Sequence, residues 1–290
     1  MGPMKEIFST IENRYDLVEV ACSPTSTLTA TFEANGYQCL RVNYTTGYNL
    51  DTKAGTDALK TTLSKAPTPK LVWVSLPCTR LSSLQNLTER TPEQLAKFQK
   101  RRGQDLRRAD EVSSSLDPVL HDGGDIGWEW PTRATAGWRS GAIARLRRLC
   151  RKHRRYLYEI RVDGCAYGLE WKGQPLRKQW TILTTSKQMW LELCRRCPGD
   201  HSHAECRGPA AQASSYYPVQ LCKGVLRAMR QQWLHDDSNL TYLTEKHILQ
   251  VDENMLEYPE HLEEENVFAL SRTKLNLEIA PTGKKLEAVK

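Results

Sequence analysis

The chain has 290 residues, with 41 Lys and Arg against 34 Asp and Glu, a formal net charge of +7 and 39% hydrophobic residues. This length allows one large domain or two small ones, and the mild positive charge suits a polyanionic partner without requiring one. No uninterrupted apolar stretch approaches the length of a membrane span, and residues 1–11 lack the apolar core of a signal peptide. Nine scattered cysteines, an odd number, indicate reduced thiols in an intracellular protein with no membrane partner.

The first part of the sequence alternates short apolar runs with amphipathic segments. We predict strands at 16–22, 38–44 and 71–76, and helices at 27–35 and 57–64. This alternation predicts right-handed parallel crossovers between the strands. The expected fold class is therefore α/β, with a doubly wound, Rossmann-like, mostly parallel sheet.

A strong helix start lies at Thr91, with Pro92 at the first helical position and Gln94 completing a capping box. Apolar residues then recur at helical spacing as far as Val119, and we expect a break near Gly103. The opposite face is basic, and such a face is either solvated or contacts phosphates. Its cationic residues are Lys97, Lys100, Arg101, Arg107 and Arg108.

Residues 125–130 predict another buried strand, which ends at Pro131 and carries Glu129 near its carboxyl end. A carboxylate buried there is costly unless it has a partner or a chemical role. The helix predicted at 140–153 is the most basic stretch of the chain. Its candidate phosphate-binding residues are Arg145, Arg148, Arg151, Lys152 and Arg155.

Strands are also predicted at 156–162 and 179–184, and we expect these two to pair antiparallel across a loop. A closing helix is predicted at 216–230. Residues 1–235 then form the α/β domain, and the acidic, polar residues 236–290 form a tail or linker of low order.

A small insert at about 194–208 concentrates soft metal ligands. A short C-x2-C spacing followed by His and Cys is compatible with a compact structural zinc site. A polar loop with reduced thiols explains the same pattern, and the sequence alone does not decide between the two. The candidate ligands are Cys194, Cys197, His201, His203 and Cys206.

Cys78 follows the apolar strand at 71–76 and the strand-ending Pro77. In open α/β sheets, ligands bind just beyond the carboxyl ends of the strands, so a thiol there is well placed to react. A buried structural cysteine is the alternative, because free Cys packs as a small hydrophobic residue.

Taken in order, these motifs resemble the cytosine-5 DNA methyltransferase superfamily from about residue 16 to residue 229. Leu17–Leu28 stands where that family has its cofactor loop, and Ser75–Thr79 resembles the nucleophile loop. Trp128–Pro131 resembles the glutamate motif. Cys165–Gly168, followed by Lys178–Ile182, is similar to a Cys-x-Tyr-Gly and Lys-x-Thr-x-Ile pattern of phage-type members.

A closer likeness is to the methyltransferase-like segments of copia-type retrotransposon polyproteins. Pro-Cys-Thr, Gln-Asn, Trp-Glu-Trp-Pro, Asp-Gly-Cys and Ser-Tyr-Tyr-Pro elements recur together there, and all occur in this chain. Residues 270–290 resemble the lead-in to the pre-integrase region of such polyproteins. The resemblance implies that other segments of a polyprotein are partners of this chain.

The resemblance also implies a reaction and a site. Cys78 would attack a flipped cytosine, Glu129 would hydrogen-bond its ring, Lys178 would assist, and Arg80 would contact DNA, which places the chain in the nucleus. S-adenosylmethionine would be the methyl donor. Its expected binding residues are Glu19, Cys22, Ser23, Thr25, Ser26, Asn43, Asn49, Asp51 and Pro77.

Two alternatives remain at this point. Ser23, Pro24 and Thr25 stand where the family uses glycines, so the domain is alternatively an inactive nucleic-acid-binding module of a mobile element. A weaker alternative is a thiol hydrolase that pairs Cys78 with His121 or His153. An imidazole within hydrogen-bond reach of Cys78 would support the hydrolase.

Overall fold

The computed structural model describes residues 14–246, and the side chains of residues 14–236. The strands are β1 (Leu17–Val20), β2 (Cys39–Val42), β3 (Leu71–Val74), β4 (Asp125–Pro131), β5 (Tyr158–Asp163), β6 (Glu170–Trp171), β7 (Gln174–Pro175) and β8 (Gln179–Thr184). The helices are α1 (Thr27–Glu33), α2 (Lys53–Ser64), α3 (Pro92–Ser114), α4 (Asp117–His121), α5 (Thr135–Trp138), α6 (Gly141–Lys152), α7 (Lys187–Glu192), α8 (Gly208–Ala213) and α9 (Val219–Lys246). Within the described residues, no helix is both long and apolar enough to cross a membrane.

The main sheet has six strands in the order β2-β1-β3-β4-β8-β5. The β1–β2, β1–β3 and β3–β4 pairs are parallel, which confirms the predicted α/β class and mostly parallel sheet. The predicted antiparallel pairing of β5 with β8 is also confirmed. The structure adds that β8 lies between β4 and β5 and is antiparallel to both, with Ile182 opposite Glu129.

Both faces of the sheet are covered, which explains why its strands are continuous apolar runs rather than alternating ones. Val18, Val20, Val72 and Val74 face a core that includes side chains from α2, α3 and α6. The other face, with Trp73 at its centre, packs against α1 and α9. Burying these aliphatic and aromatic side chains contributes about 1.5–3 kcal/mol each before entropic costs, so the sheet is a rigid base for its loops.

Helix α3 is continuous, so the break predicted near Gly103 is wrong. The predicted capping box at Thr91 is present, and the buried Ala109 and Val112 face the same core as α6. A helical Gly costs only about 1 kcal/mol relative to Ala, which this packing offsets.

The other helix boundaries differ from prediction at their starts and ends. Helix α2 begins at Lys53 rather than at residue 57, because the Thr52 side chain caps it. Helix α9 begins at Val219 and continues to Lys246, past the predicted boundary at 235. The compact unit that holds the sheet ends at Asp237, and the predicted tail from 247 onward lies outside the described residues.

Candidate active site

The order of the sheet reverses between β1 and β3, and the carboxyl ends of two such strands border the usual ligand crevice of a doubly wound sheet. A cavity of about 330 Å³ lies there, which falls within the range of about 300–1,000 Å³ for small-molecule sites. Its lining includes five residues that the sequence predicted for the cofactor: Cys22, Asn43, Asn49, Asp51 and Pro77. The strand ends therefore bring residues from three separate loops to one crevice.

Ala21 forms the first part of the turn after β1 and lines this cavity. Its φ of +63° is in the left-handed region, where a β-carbon costs about 1–2 kcal/mol. Glycine adopts this conformation without that cost. The backbone at this position thus has a conformation that favours glycine, although the residue is Ala.

Glu19 is buried in β1 and does not line the cavity. Its carboxylate accepts hydrogen bonds from Ser26 Oγ at 2.8 and 2.6 Å and from the backbone N–H of Thr29 at 3.2 Å, and the Thr29 hydroxyl also donates to it. Burial raises the pKa of Glu19, and these hydrogen bonds oppose the rise. Glu19 and Ser26 therefore fix the start of α1 to the sheet, which corrects their predicted role as cofactor ligands.

Ser23 and Thr25 also lie outside the cavity lining. Their hydroxyls are 3.1 Å apart in an exposed turn, and hydrogen bonds from them lower the pKa of the Tyr216 phenol. This turn therefore contacts the segment that precedes α9 rather than the crevice. Of the nine cofactor residues predicted, the structure brings five to the crevice and uses the others to hold the loop beside it.

Within the cavity lining, the polar groups are only partly satisfied by the protein. Asn43 Oδ1 accepts hydrogen bonds from the backbone N–H groups of Thr45 and Thr46, whereas its buried Nδ2 has no hydrogen-bond partner among residues 14–236. Burial raises the pKa of the Cys22 thiol to about 12, and the Asn43 amide partly opposes that rise. Asp51 forms an ion pair with Arg108. The Asn43 amide is thus a donor that a ligand in the crevice can use.

Cys78 lies beyond the carboxyl end of β3, at the start of a short helical turn at Thr79–Leu81. Burial and, to a smaller extent, the Glu129 charge raise the pKa of its thiol to about 11, and Lys178 opposes the rise. The three predicted catalytic residues are therefore close enough to interact electrostatically. The raised pKa favours the neutral thiol over the thiolate.

Glu129 lies near the carboxyl end of the neighbouring strand, β4, and is 6% exposed. Its Oε2 accepts a 2.6 Å hydrogen bond from the Tyr217 hydroxyl, which in turn accepts one of 3.2 Å from Trp73 Nε1. Its Oε1 is buried and has no hydrogen-bond partner in the described part of the chain. Burial raises the pKa of Glu129 to about 7, although Tyr217 and Lys178 oppose the rise.

Tyr217 is the functional residue that the sequence analysis did not single out. Burial and the Glu129 charge raise the pKa of its phenol well above the usual value, so it stays protonated and donates to the carboxylate. The signal was the Ser-Tyr-Tyr-Pro element at residues 215–218, noted only as part of a resemblance. Sequence spacing gave no reason to connect it with Glu129.

Lys178 immediately precedes β8, which brings it to the same edge of the sheet because β8 runs opposite to β4. Its Nζ donates a 2.6 Å hydrogen bond to the backbone carbonyl of Ser214 and lies 5.4 Å from the ring centre of Trp180. Lys178 therefore acts on Cys78 and Glu129 through its charge and forms no direct bond to either in the described residues.

Most of the cations predicted to contact nucleic acid form intramolecular ion pairs. Arg145 pairs with Asp110 at 2.6 Å, Lys152 with Asp117 at 2.8 Å, and Arg155 with Asp125 at 2.5 Å. Arg80 forms two hydrogen bonds to the buried Asp105, at 2.6 and 2.7 Å. Arg148 and Arg151 are exposed and form no ion pair within residues 14–236. Arg145 and Lys152 therefore fasten α6 to neighbouring helices, whereas Arg147, Arg148 and Arg151 on the same helix are exposed and form no ion pair within the described residues.

A second cavity, of about 440 Å³, lies beside the crevice and is strongly basic. Arg80, Arg101, Arg107 and Arg108 line it, and Asp51 and Arg108 also line the crevice. Arg101 and Arg107 are exposed on α3 and form no ion pair within the described residues. We call this cavity the basic groove; Glu111 is the acidic residue on α3 that also lines it.

The structure also tests the prediction that an imidazole group lies within reach of Cys78. His121 contacts Asp122, and His153 contacts Asp117. Each histidine lies just before the amino end of a strand, β4 or β5, whereas Cys78 lies beyond the carboxyl end of β3. The condition for a thiol hydrolase is therefore not met within residues 14–236.

The predicted metal ligands are only partly brought together. The ligand atoms of Cys165, Cys197, His201 and His203 lie within 4.8 Å of one another. Cys194 is exposed, and its thiol donates to the carbonyl of Leu191. Cys206 Sγ lies 3.7 Å from Ser214 Oγ. Cys165 therefore replaces Cys194 and Cys206 in the cluster, which corrects the predicted set.

Comparison with known proteins does not add to this geometry. No protein-family model matches the chain, and no curated protein matches it.

Proposed function

We propose that this chain is a cytosine-5 DNA methyltransferase-like protein that uses S-adenosylmethionine. The observation that carries the proposal is the pairing of Cys78 with the buried Glu129 on neighbouring strand ends. Glu129 Oε1 lacks a partner among residues 14–236, so one face of the carboxyl group is left for a ligand. Unsatisfied buried polar groups are rare in stable folds, and this one lies near the carboxyl end of β4, next to the strand that leads to Cys78.

The chemistry follows from the properties of cytosine. Its C5 is a poor nucleophile until a thiolate adds to C6, so Cys78 Sγ would form a bond to C6 of a flipped base. The Glu129 carboxyl would donate its proton toward N3 and stabilise the charge that develops on the ring. After methylation, loss of the C5 proton to solvent and expulsion of the Cys78 thiolate restore the aromatic ring.

Two charges near Cys78 control its reactivity. Glu129 has a raised pKa of about 7, so a substantial fraction is protonated near neutral pH and is able to donate. In that state Glu129 no longer raises the pKa of Cys78, while Lys178 continues to lower it. Protonation of the acid and ionisation of the nucleophile therefore favour each other.

S-adenosylmethionine, when bound, supplies an electrophilic methyl group from its sulfonium. The residues of the crevice fit such a group in one respect, because the buried Asn43 Nδ2 offers an unused donor. Cys22, Asn49, Asp51 and Pro77 would complete the lining. The side chains of Ala21 and Pro24 narrow the turn where a glycine loop would approach the cofactor closely.

The basic groove supports DNA as the partner. Arg101 and Arg107 form no ion pair within the described residues, although Glu111 lines the same groove, and phosphates are recognised by unpaired arginines. Phosphate contacts fix position and carry no sequence information, so this groove argues for a nucleic-acid backbone without specifying a target sequence.

The test combines cofactor binding with covalent trapping. Calorimetry with S-adenosylmethionine should detect binding, and duplex DNA containing 5-fluorocytosine should then form a covalent complex, because fluorine cannot leave as the C5 proton does. Cys78→Ala should abolish the complex, whereas the exposed-thiol control Cys194→Ser should retain it. Cofactor binding without a Cys78-dependent complex would contradict the proposed reaction.

A second candidate is an inactive nucleic-acid-binding module within a retrotransposon polyprotein. Ala21 and Pro24 in the cofactor turn favour this function, since neither has the conformational freedom of glycine. It predicts no binding of S-adenosylmethionine at millimolar concentration, together with salt-sensitive DNA binding that Arg107→Ala weakens.

A further inference from the structure

We propose that Cys165, Cys197, His201 and His203 bind one zinc ion in a tetrahedral structural site. The proposal concerns residues that do not line the crevice, and it does not depend on methyl transfer. It differs from the ligand set that local sequence spacing suggests, because Cys165 belongs to the turn after β5. The remaining three ligands lie in the loop between α7 and α8.

Two sulfur-to-nitrogen separations in the cluster are close to the edge length of a zinc-bound tetrahedron. Zinc lies about 2.3 Å from sulfur and about 2.0–2.1 Å from nitrogen, so a sulfur-to-nitrogen edge measures about 3.5 Å. Cys197 Sγ is 3.6 Å from His201 Nε2 and 3.2 Å from His203 Nε2. All four ligand atoms lie within 4.8 Å of one another, which leaves room for one ion at their centre.

An independent observation concerns the orientation of His201. Its Nδ1 lies 2.8 Å from a carboxylate oxygen of Asp200, while its Nε2 faces Cys197. A histidine that binds a metal characteristically donates its second ring N–H to a carboxylate, which fixes the tautomer and the ring. Asp200 therefore supplies the carboxylate contact that a metal-binding histidine uses, on the ring nitrogen that faces away from Cys197.

The donor set also identifies the metal. Two thiolates and two imidazoles favour zinc over magnesium or calcium, which prefer oxygen ligands. Four protein ligands leave no open position for water or substrate. The site is therefore structural rather than catalytic.

The metal would reinforce a contact that the protein already makes. Asp163, buried at the end of β5, accepts hydrogen bonds from Arg196 Nε at 2.8 Å and from the backbone N–H of Cys197 at 2.9 Å. A zinc ion coordinated by Cys165 and Cys197 would link this loop to the turn that follows β5. The edge strand β5 and the loop that follows α7 then become one unit.

This unit leads directly to the candidate active site. The loop continues into α8, and Ser214 just after α8 accepts the hydrogen bond from Lys178. Tyr217, three residues later, donates to Glu129. Zinc would therefore hold in place the segment that positions both groups.

Metal analysis of the full chain, purified from zinc-supplemented medium, tests the proposal. We expect about one zinc per chain in the wild type. Cys165→Ser should lower this content several-fold, whereas the matched controls Cys194→Ser and Cys206→Ser should leave it unchanged. Zinc that is lost from the controls and retained by Cys165→Ser would overturn the ligand assignment.

A second measurement keeps the test valid if Cys165→Ser fails to fold. The wild type, stripped of zinc and loaded with cobalt, should show the visible bands of a tetrahedral site and an intense sulfur-to-cobalt charge-transfer band from two thiolates. Asp200→Ala, which retains all four ligands, should weaken zinc binding about 10–100-fold. Failure of the folded wild type to bind either metal would refute the site.

Discussion

Replacing Glu129 by Gln should increase the alkylation rate of Cys78 above pH 7. The Glu129 carboxylate raises the pKa of the Cys78 thiol, which burial already raises, to a value of about 11. Gln keeps the shape of the side chain and can still accept the hydrogen bond from Tyr217, but it carries no charge. The substitution therefore isolates the electrostatic effect of the acid on the nucleophile.

The size of the effect follows from two opposing consequences of a lower pKa. Removing a nearby like charge lowers a pKa by about one unit, which raises the thiolate fraction about tenfold at a fixed pH below the pKa. A less basic thiolate is also a weaker nucleophile, with a Brønsted slope of about 0.4–0.5. The net increase in alkylation rate should therefore be about threefold.

The pH dependence provides the sharper test. Glu129 has a raised pKa of about 7, so below that pH it is protonated and no longer raises the pKa of Cys78. The wild type and Glu129→Gln should then react at the same rate. Lys178→Met should have the opposite effect and slow the reaction, because it removes the charge that favours the thiolate.

The assay is pulsed alkylation with iodoacetamide on both sides of pH 7, followed by peptide mass spectrometry. The exposed Cys194 serves as an internal reference within each sample. Equal Cys78 rates above pH 7, or an increase of the same size below it, would refute the electrostatic link between Glu129 and Cys78.

Three further predictions concern stability. Glu129 has a folded-state pKa of about 7 against an unfolded value of 4.5, so its ionisation destabilises the fold as pH rises through this window. Glu129→Gln should therefore raise the free energy of unfolding by up to about 3 kcal/mol at pH 8 and leave it unchanged near pH 4, as measured by thermal unfolding. Ala21→Gly should raise the free energy of unfolding, measured by urea denaturation, by up to about 1 kcal/mol. The control Ala144→Gly, in the exposed part of a helix, should lower it by about 1 kcal/mol. Equal losses in the two variants would contradict backbone strain at Ala21. Gly103→Ala should stabilise α3 by about 1 kcal/mol. Gly127→Ala should strongly destabilise the fold, because the added β-carbon would lie 2.5 Å from the Trp73 ring. Similar urea midpoints for the two variants would show that the packing around Gly127 is loose.

The strands were predictable because each is a short apolar run with a clear end. The parallel order of β1, β2 and β3 follows from their crossover spacing. The insertion of β8 between β4 and β5 was not predictable, since local patterns do not specify which strands pair across a long loop. The continuity of α3 likewise depends on packing that the Gly103 signal does not record.

The site was predictable as far as it depends on strand ends. Cys78 follows the buried strand β3, and Glu129 lies near the end of the buried strand β4. A parallel sheet therefore places both at the carboxyl ends of neighbouring strands. Tyr217 and Cys165 were missed because their partners are distant in sequence: Tyr217 binds Glu129, and Cys165 belongs with a later loop. Spacing rules detect only ligands that are close in the chain.

The ion pairs of α6 were not predictable from sequence. Residue counts along α6 show its cations but not the acids that face them, such as Asp110 on α3. The charge run therefore predicts a basic helix without showing which of its cations are paired. The basic groove could be predicted only in part, because Arg101, Arg107 and Arg108 lie together on α3 but Arg80 comes from the turn after β3.

The position of β8 also fixes an order of events during synthesis. Strands β2, β1, β3 and β4 lie consecutively in the sheet and are complete once residue 131 has left the ribosome, but β5 pairs only with β8 within the described sheet. Strand β5 therefore has no place in the sheet until residues 179–184 are also available. Until then β4 lacks the neighbouring strand that pairs with it in the complete sheet, so the part of the sheet that holds Glu129 can form only after residue 184 has been synthesised.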